Sequence, residues 1–360
     1  MAEQKALFLD KKQGSFVLGT REIENPQPGE LLVKIKAVAL NPVEWKVQTY
    51  GMLVENYPAI LGTDIAGEVE AVGEGVEGFA KGDRVCFQGF RDPAHAGYQQ
   101  YTRVPAEMVS KIPSKYTYSQ AASVPACFAT AAIGLFSAQG IGLNPVFESH
   151  VQYKGQAAVV IGGSSSVGQY AIQVLRFAGF STIITYASGH HTEFLKSLGA
   201  THVIDRKQVT LTDLTAAVKK ITNGLVPIAY DAISDSDTQT AAYDLLTDDG
   251  KMVVTLPSVL KEDAGSKKVV GFIRASVYLD PNRAFGRTIH RSLTTWLEDG
   301  VFVVSSTTRI FDGPVADVVP KPNRVEELPN GLASIVGGLE RLKNNQVSGV
   351  KLVVNPQETP

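Results

Sequence analysis

The sequence predicts an α/β protein in which a β-rich part is joined to a doubly wound parallel sheet. Two observations predict it. Residues 1–125 carry many short apolar runs with turn signals at short intervals, the pattern of a rolled or barrel-like β domain. From residue 157 onward, strand-like and helix-like segments alternate, which implies parallel strands with helices on both faces.

In the first part, residues 6–9 and 16–18 read as short strands, and the cluster NPQPGE at 25–30 reads as a turn. Residues 31–40, LLVKIKAVAL, alternate so that Lys34 and Lys36 share one solvated face. Residues 65–72 form the next strand, and Lys81-Gly82-Asp83-Arg84-Val85 turns into another. Residues 119–139 are alanine-rich, helix-compatible and placed to bridge two domains. In the second part strands are expected at 157–161, 182–186, 202–204, 228–232, 251–256 and 268–273. Helices are expected between them at 168–178, 192–198, 212–222 and 238–246. The rhythm changes near Val277. Helices near 288–297 and 331–343 and a strand at 350–354 return the chain to the first domain.

The whole chain excludes several classes. Lys plus Arg is 34 and Asp plus Glu is 36, so no basic field points to nucleic acid or an anionic membrane. No apolar run reads as a bilayer span, and MAEQKALFLD does not read as a signal peptide. The two cysteines, Cys86 and Cys127, belong to no C-x-x-C pair and read as buried thiols, so a cytoplasmic location is expected.

The most informative stretch is AAVVIGGSSSVGQYAIQVLRFAG at 157–179. A β-branched run leads into Gly162-Gly163-Ser164-Ser165-Ser166-Val167-Gly168, and an amphipathic helix follows. Strand, glycine turn and helix in that order suit a dinucleotide pyrophosphate, because the turn lets backbone approach the phosphates and the helix start offers unpaired N–H groups. The spacing from Gly163 places Ser165 where G-x-G-x-x-G has its middle glycine. That weakens the motif without cancelling it. An NAD site holds Asp or Glu about 20 residues past the glycines. Here that position reads TYASGHH, and the first acid is Glu193. Ser188, His190, His191 and Arg206 are candidates to bond a 2′-phosphate instead, so NADPH is expected over NADH. Asp231 and Leu256 end two strands of the same sheet, where crevice contacts are expected.

Several stretches together resemble the medium-chain dehydrogenase/reductase superfamily. They are Asn41-Pro42 with Lys46, LGTDIAG at 61–67, Val72-Gly73, and Lys81-Gly82-Asp83-Arg84-Val85. Val124-Pro125 before Thr130-Ala131, the glycine turn, Leu198-Gly199-Ala200, and Ser348-Gly349 before Lys351 complete the set. The resemblance covers nearly the whole chain. Within the superfamily it is most similar to the zinc-free quinone-oxidoreductase-like branch, and to fungal enoyl reductases that serve polyketide synthases in trans. It implies a GroES-like catalytic domain over 1–125, a Rossmann NADPH-binding domain over 126–276, and a return over 277–360 that shapes the substrate pocket. Zinc members carry Cys and Gly-His-Glu where this sequence has Ala39-Leu40-Asn41-Pro42 and Gly62-Thr63-Asp64, so no metal is expected.

By the same resemblance Lys46, placed on a loop after Asn41-Pro42, stands for the active-site lysine, and Thr130 offers a hydroxyl near the nicotinamide. The backbone from Ser348 to Lys351 returns to the nicotinamide. Phe285 and Trp296 read as apolar lining or as core. The implied activity is NADPH-dependent reduction of an activated carbon–carbon double bond. The implied substrate is a small-molecule or carrier-protein-bound enoyl group, the partner a polyketide synthase, and the state monomer or homodimer. Quinone or enone reduction, zinc-free alcohol or ketone chemistry, and non-catalytic nucleotide sensing are the alternatives.

Overall fold

A computed structural model describes residues 2–145, 153–261, 265–300, 302–303, 309–310 and 320–360. The chain divides into two compact units. One holds residues 1–126, 286–294 and 322–360, and the other residues 127–285 and 295–321.

The first unit is built on two sheets. Glu3–Leu9 pairs antiparallel with Phe16–Glu22 and with Ala59–Ile60. In the larger sheet the long strand Glu30–Ala39 is central, pairing antiparallel with Asp64–Val72, Tyr101–Pro105 and Lys351–Val354. Its alternation buries Leu31, Val33 and Ile35 while Lys34 and Lys36 stay half-exposed, as the pattern of 31–40 predicts. Its pairing with Asp64–Val72 shifts register twice, once at Glu70 and once at Lys36. Among the strands that lie where none is expected from sequence are Tyr101–Pro105 and Val325–Leu328. Their sequences, YTRVP and VEEL, carry a proline and two acids that blur the alternation. Pairing with longer neighbours supplies what local propensity does not.

The second unit holds a parallel sheet of six strands in the order His202–Asp205, Thr182–Ala187, Ala157–Ile161, Val226–Asp231, Leu246–Val254, Val269–Phe272. All six strand positions match the sequence reading apart from their ends. Leu246–Val254 starts earlier than expected because its Asp248-Asp249-Gly250 reads as a turn and is absorbed as a register shift against Val226–Asp231. The first strand in sequence lies at the middle of the sheet beside the fourth. The chain therefore leaves these two neighbours in opposite directions, which opens a crevice at their carboxyl ends. Glycine turn and Asp231 sit there, with Ile161 and Asp231 in register.

Two expectations need correction. Lys46 is not on a loop: it lies in the helix Pro42–Tyr50, whose start is marked by Asn41, Pro42 and Glu44 although the polar, β-branched body of PVEWKVQTY is a poor helix former. An apolar stretch of bilayer length does exist, Tyr118–Phe136, but 83% of it is buried inside the protein. It comprises the helices Tyr118–Ala122 and Pro125–Phe136. Of the expected return over 277–360, residues 301, 304–308 and 311–319 lie outside the described residues.

Trp296 and Phe285 are core. Trp296, in the helix Asp280–Asp299, is 1% exposed and stacks on Phe128 with ring centroids 4.4 Å apart. Phe128 meets Tyr170 edge-on at 6.1 Å. Trp296→Ala would leave a large void in this aromatic cluster. We expect a loss of about 3–5 kcal/mol in urea unfolding, measured by near-UV circular dichroism.

Candidate functional site

The glycine turn at the head of the crevice is shaped by contact. Gly162 has φ +76°, a conformation costly for other residues. A Cβ on Gly163 would lie 1.8 Å from Thr185 Oγ1, and one on Gly168 would lie 2.2 Å from the Gly162 carbonyl oxygen. These glycines let the strand, the turn and the helix Ser166–Phe177 close on one another. Ser165, standing where the fingerprint has a glycine, is the N-cap: its hydroxyl accepts from Gly168 N–H at 3.1 Å. Ser164, Ser165, Ser166 and Val167 are half-exposed, so the helix start is open to solvent. This cradle fits a pyrophosphate, held by backbone N–H groups and the positive end of the helix.

Around the crevice the structure brings four more of the expected residues together. Arg206, exposed, donates from Nε to Ser188 Oγ at 2.8 Å. His190 and His191 lie in the turn Gly189–His191, one exposed and one buried, with rings 3.9 Å apart. The tight turn folds the two adjacent rings together. Asp205, which the sequence reading missed, ends the neighbouring strand and accepts from Gly189 N–H and Lys207 N–H, each at 3.0 Å. Those backbone bonds, the Lys207 one foremost, hold its carboxyl below the usual range. The signal for it was the strand end at 205 rather than the spacing from the glycines.

Asp231 is fully buried at the end of the middle strand Val226–Asp231. Its Oδ1 accepts from Ile233 N–H at 3.0 Å and Ser234 N–H at 2.8 Å. Its Oδ2 completes no hydrogen bond among the described residues. Thr238 stands beside it, but the Thr238 hydroxyl is turned to the Asp235 carbonyl at 3.2 Å. Burial pushes the Asp231 carboxyl up to about 6. Leu256 lies half-exposed just past the end of its strand. Thr130 is half-exposed on Pro125–Phe136, and its carbonyl accepts from the buried Tyr230 hydroxyl at 3.1 Å.

In the first unit Lys46 is half-buried, with its Nζ 5.6 Å from the Trp45 ring centroid. Among the described residues no carboxylate pairs with it, and desolvation holds its amine below the usual lysine range. The helix that carries it starts in a buried polar network. Glu44 Oε2 accepts from Asn41 N–H at 2.5 Å, and Glu44 Oε1 accepts from the Thr63 hydroxyl at 3.0 Å. Asn41 Nδ2 donates to Asp64 Oδ2 at 2.9 Å, and Asn41 Oδ1 accepts from Lys351 Nζ at 2.6 Å. Lys351 Nζ also lies 2.9 Å from Asp64 Oδ2, both side chains being almost wholly buried. Asp64 Oδ1 accepts from Ala126 N–H at 2.6 Å. The Lys351 ammonium is thus committed to Asp64 and Asn41, whereas sequence reasoning had assigned that segment a backbone role at the cofactor. Burial raises the Glu44 carboxyl to about 7 against the pull of Lys351.

The residues at 39–64 do not suit zinc. Asp64 already holds an ammonium and two N–H donors, Thr63 and Asn41 are neutral, and burial pushes the nearby Cys86 thiol up to about 12.

The model of the alcohol dehydrogenase GroES-like domain matches residues 27–114, and that of the zinc-binding dehydrogenase matches residues 166–258. A zinc-type alcohol dehydrogenase-like protein of Schizosaccharomyces pombe is 30% identical over 97% of this chain and 99% of its own. The chain belongs to the medium-chain dehydrogenase/reductase superfamily. It is an oxidoreductase of that superfamily, with a GroES-like domain and a Rossmann-type sheet. A trans-enoyl reductase of Pyrenochaetopsis is 28% identical over 93% of this chain and 91% of its own. A mycobacterial protein solved in complex with NADPH shares the superfamily's fold with this chain, at TM-score 0.73 and 20% identity over 98% of this chain and all of that one.

Two outcomes test these assignments. Gly168→Ala pushes a methyl group into backbone that cannot yield; we expect a lower melting temperature and at least a tenfold loss of pyridine-nucleotide affinity by fluorescence titration. Glu44 binds its proton more tightly folded, near 7, than unfolded, near 4.5, so its contribution to stability is present below pH 4.5 and is lost as pH rises through 7. Glu44→Gln removes that loss. Urea unfolding at pH 5 and pH 7.5 should show the wild type falling against the variant, on the order of 2–3 kcal/mol at most.

Proposed function

We propose that this oxidoreductase uses NADPH to reduce an activated carbon–carbon double bond, and that its substrate is an enoyl thioester, presented by the carrier protein of a polyketide synthase. The observation that carries the reading is Lys46, a half-buried ammonium with no carboxylate partner among the described residues. When bound, the nicotinamide supplies hydride to the β carbon of the substrate. Negative charge then develops on the thioester carbonyl oxygen, and the α carbon needs a proton. An ammonium not already neutralised by a carboxylate stabilises such charge, and a lowered pKa eases its proton transfer. Thr130 would supply a hydroxyl beside the nicotinamide. The unsuitability of the 39–64 residues for zinc disfavours metal-assisted alcohol or ketone chemistry. The trans-enoyl reductase relative supports the enoyl class.

For the cofactor, Ser164, Ser165, Ser166, Val167 and the glycines Gly163 and Gly168 would hold the pyrophosphate. Ser188, His190, His191 and Arg206 would hold the 2′-phosphate, and Asp231 and Leu256 would line the crevice. The NADPH-bound structural relative supports a pyridine nucleotide. Asp205 favours a second reading, NADH, because it adds a carboxylate beside this cluster. Its Oδ1 is taken by two backbone N–H groups, and Arg206 and His190 stand beside it as exposed donors.

The test is the loss of NADPH absorbance with an α,β-unsaturated thioester, a quinone and a ketone. We expect turnover on the thioester and a loss of 100-fold or more in kcat/KM for Lys46→Ala. Arg206→Ala should raise the KM for NADPH about tenfold and leave that for NADH unchanged. Turnover on the ketone alone, or a Lys46→Ala enzyme of wild-type rate, would overturn the reading.

A further inference from the structure

We propose that Asp64, Lys351 and Asn41 form a positioning device that sets the depth of the Lys46 amine, an inference resting on the role given to Lys46 above. Three separate segments converge on the Asp64 carboxylate. Asn41 Nδ2 reaches Oδ2 from the residue that precedes the Lys46 helix. The Lys351 ammonium reaches the same oxygen from the strand Lys351–Val354. The Ala126 N–H reaches Oδ1 from the first turn of Pro125–Phe136, the helix that carries Thr130. The Lys351 ammonium closes a triangle by donating to Asn41 Oδ1 as well.

The helix Pro42–Tyr50 is only nine residues long and weakly amphipathic in sequence, so propensity does little to hold its start. Its anchorage is chemical. Asn41 is clamped between an ammonium and a carboxylate through its side chain, and Glu44 grips its backbone N–H. Glu44 is in turn held by the Thr63 hydroxyl, one residue before Asp64. Lys46 lies one half-turn beyond Glu44 and faces other surroundings, the Trp45 ring, which Lys343 also approaches at 6.0 Å. The network does not touch Lys46. It fixes the turn that does, and with it how far the amine is withdrawn from water. A merely structural pair would stabilise the domain and nothing more.

The test reads Lys46 directly, without relying on turnover. Wild-type protein and Asn41→Ala are labelled with acetic anhydride across pH 7–11, and the Lys46 peptide is quantified by mass spectrometry beside Lys154 and Lys220, which are exposed and lie in the other unit. In the wild type, Lys46 should titrate below those two lysines. In Asn41→Ala, which keeps the Lys351–Asp64 pair, its midpoint should move up toward theirs. An unmoved midpoint in a variant that melts as cooperatively as the wild type would overturn the proposal. The second variant is the double exchange Asp64→Asn with Lys351→Met, which removes both buried charges together. It should regain most of the melting temperature lost in Lys351→Met alone, while kcat on the thioester stays at least tenfold down and the KM for NADPH is unchanged. A double variant with both wild-type stability and wild-type kcat would overturn the proposal and leave the pair purely structural. A Lys46→Ala enzyme of undiminished rate would instead sink the catalytic role of Lys46, whatever the labelling midpoints show.

Discussion

A charge withdrawn from water must be answered by another, and in the first unit that constraint is met by Lys351 and Asp64. The pair joins the last strand of the chain to a strand in its first third, and it does so with almost no solvent contact. Asn41, Glu44, Thr63 and the Ala126 N–H then arrange themselves around the two charges. Removing either ion alone would strand the other. The geometry of the helix Pro42–Tyr50 follows from how this small network is satisfied.

The same network accounts for the chemistry the unit is suited to. Where other members of the superfamily place zinc ligands, this chain has an amide, a hydroxyl and a carboxylate that already carries an ammonium. The cation here is covalently part of the chain and buried. A second ammonium, Lys46, stays half-exposed and unneutralised by any carboxylate among the described residues. One lysine is committed to structure and the other is left available to meet charge that develops on a substrate.

The parallel sheet was legible in the sequence chiefly through its inner strands, which are buried on both sides and read as apolar runs such as AAVVI. The glycine turn was legible because the Thr185 side chain against Gly163 and the Gly162 backbone against Gly168 leave no room for other residues. The helix Pro42–Tyr50 was marked locally only at its start, by Asn41, Pro42 and Glu44, while its polar, β-branched body reads as loop and the side chain of Asn41 finds its partner in the distant Asp64. Lys351 was legible as a family position, but its side-chain partners, Asn41 and Asp64, lie far away in the chain. Asp205 escaped because it comes from the next strand, outside the usual interval from the glycines.

The most direct measurement follows the hydride. NADPH carrying deuterium at the transferred position is turned over with an α,β-unsaturated thioester, and the product is read by NMR. The account predicts deuterium on the β carbon, with a solvent-derived proton on the α carbon. Deuterium on a carbinol carbon, or oxidation of NADPH with no label in the thioester, would contradict it.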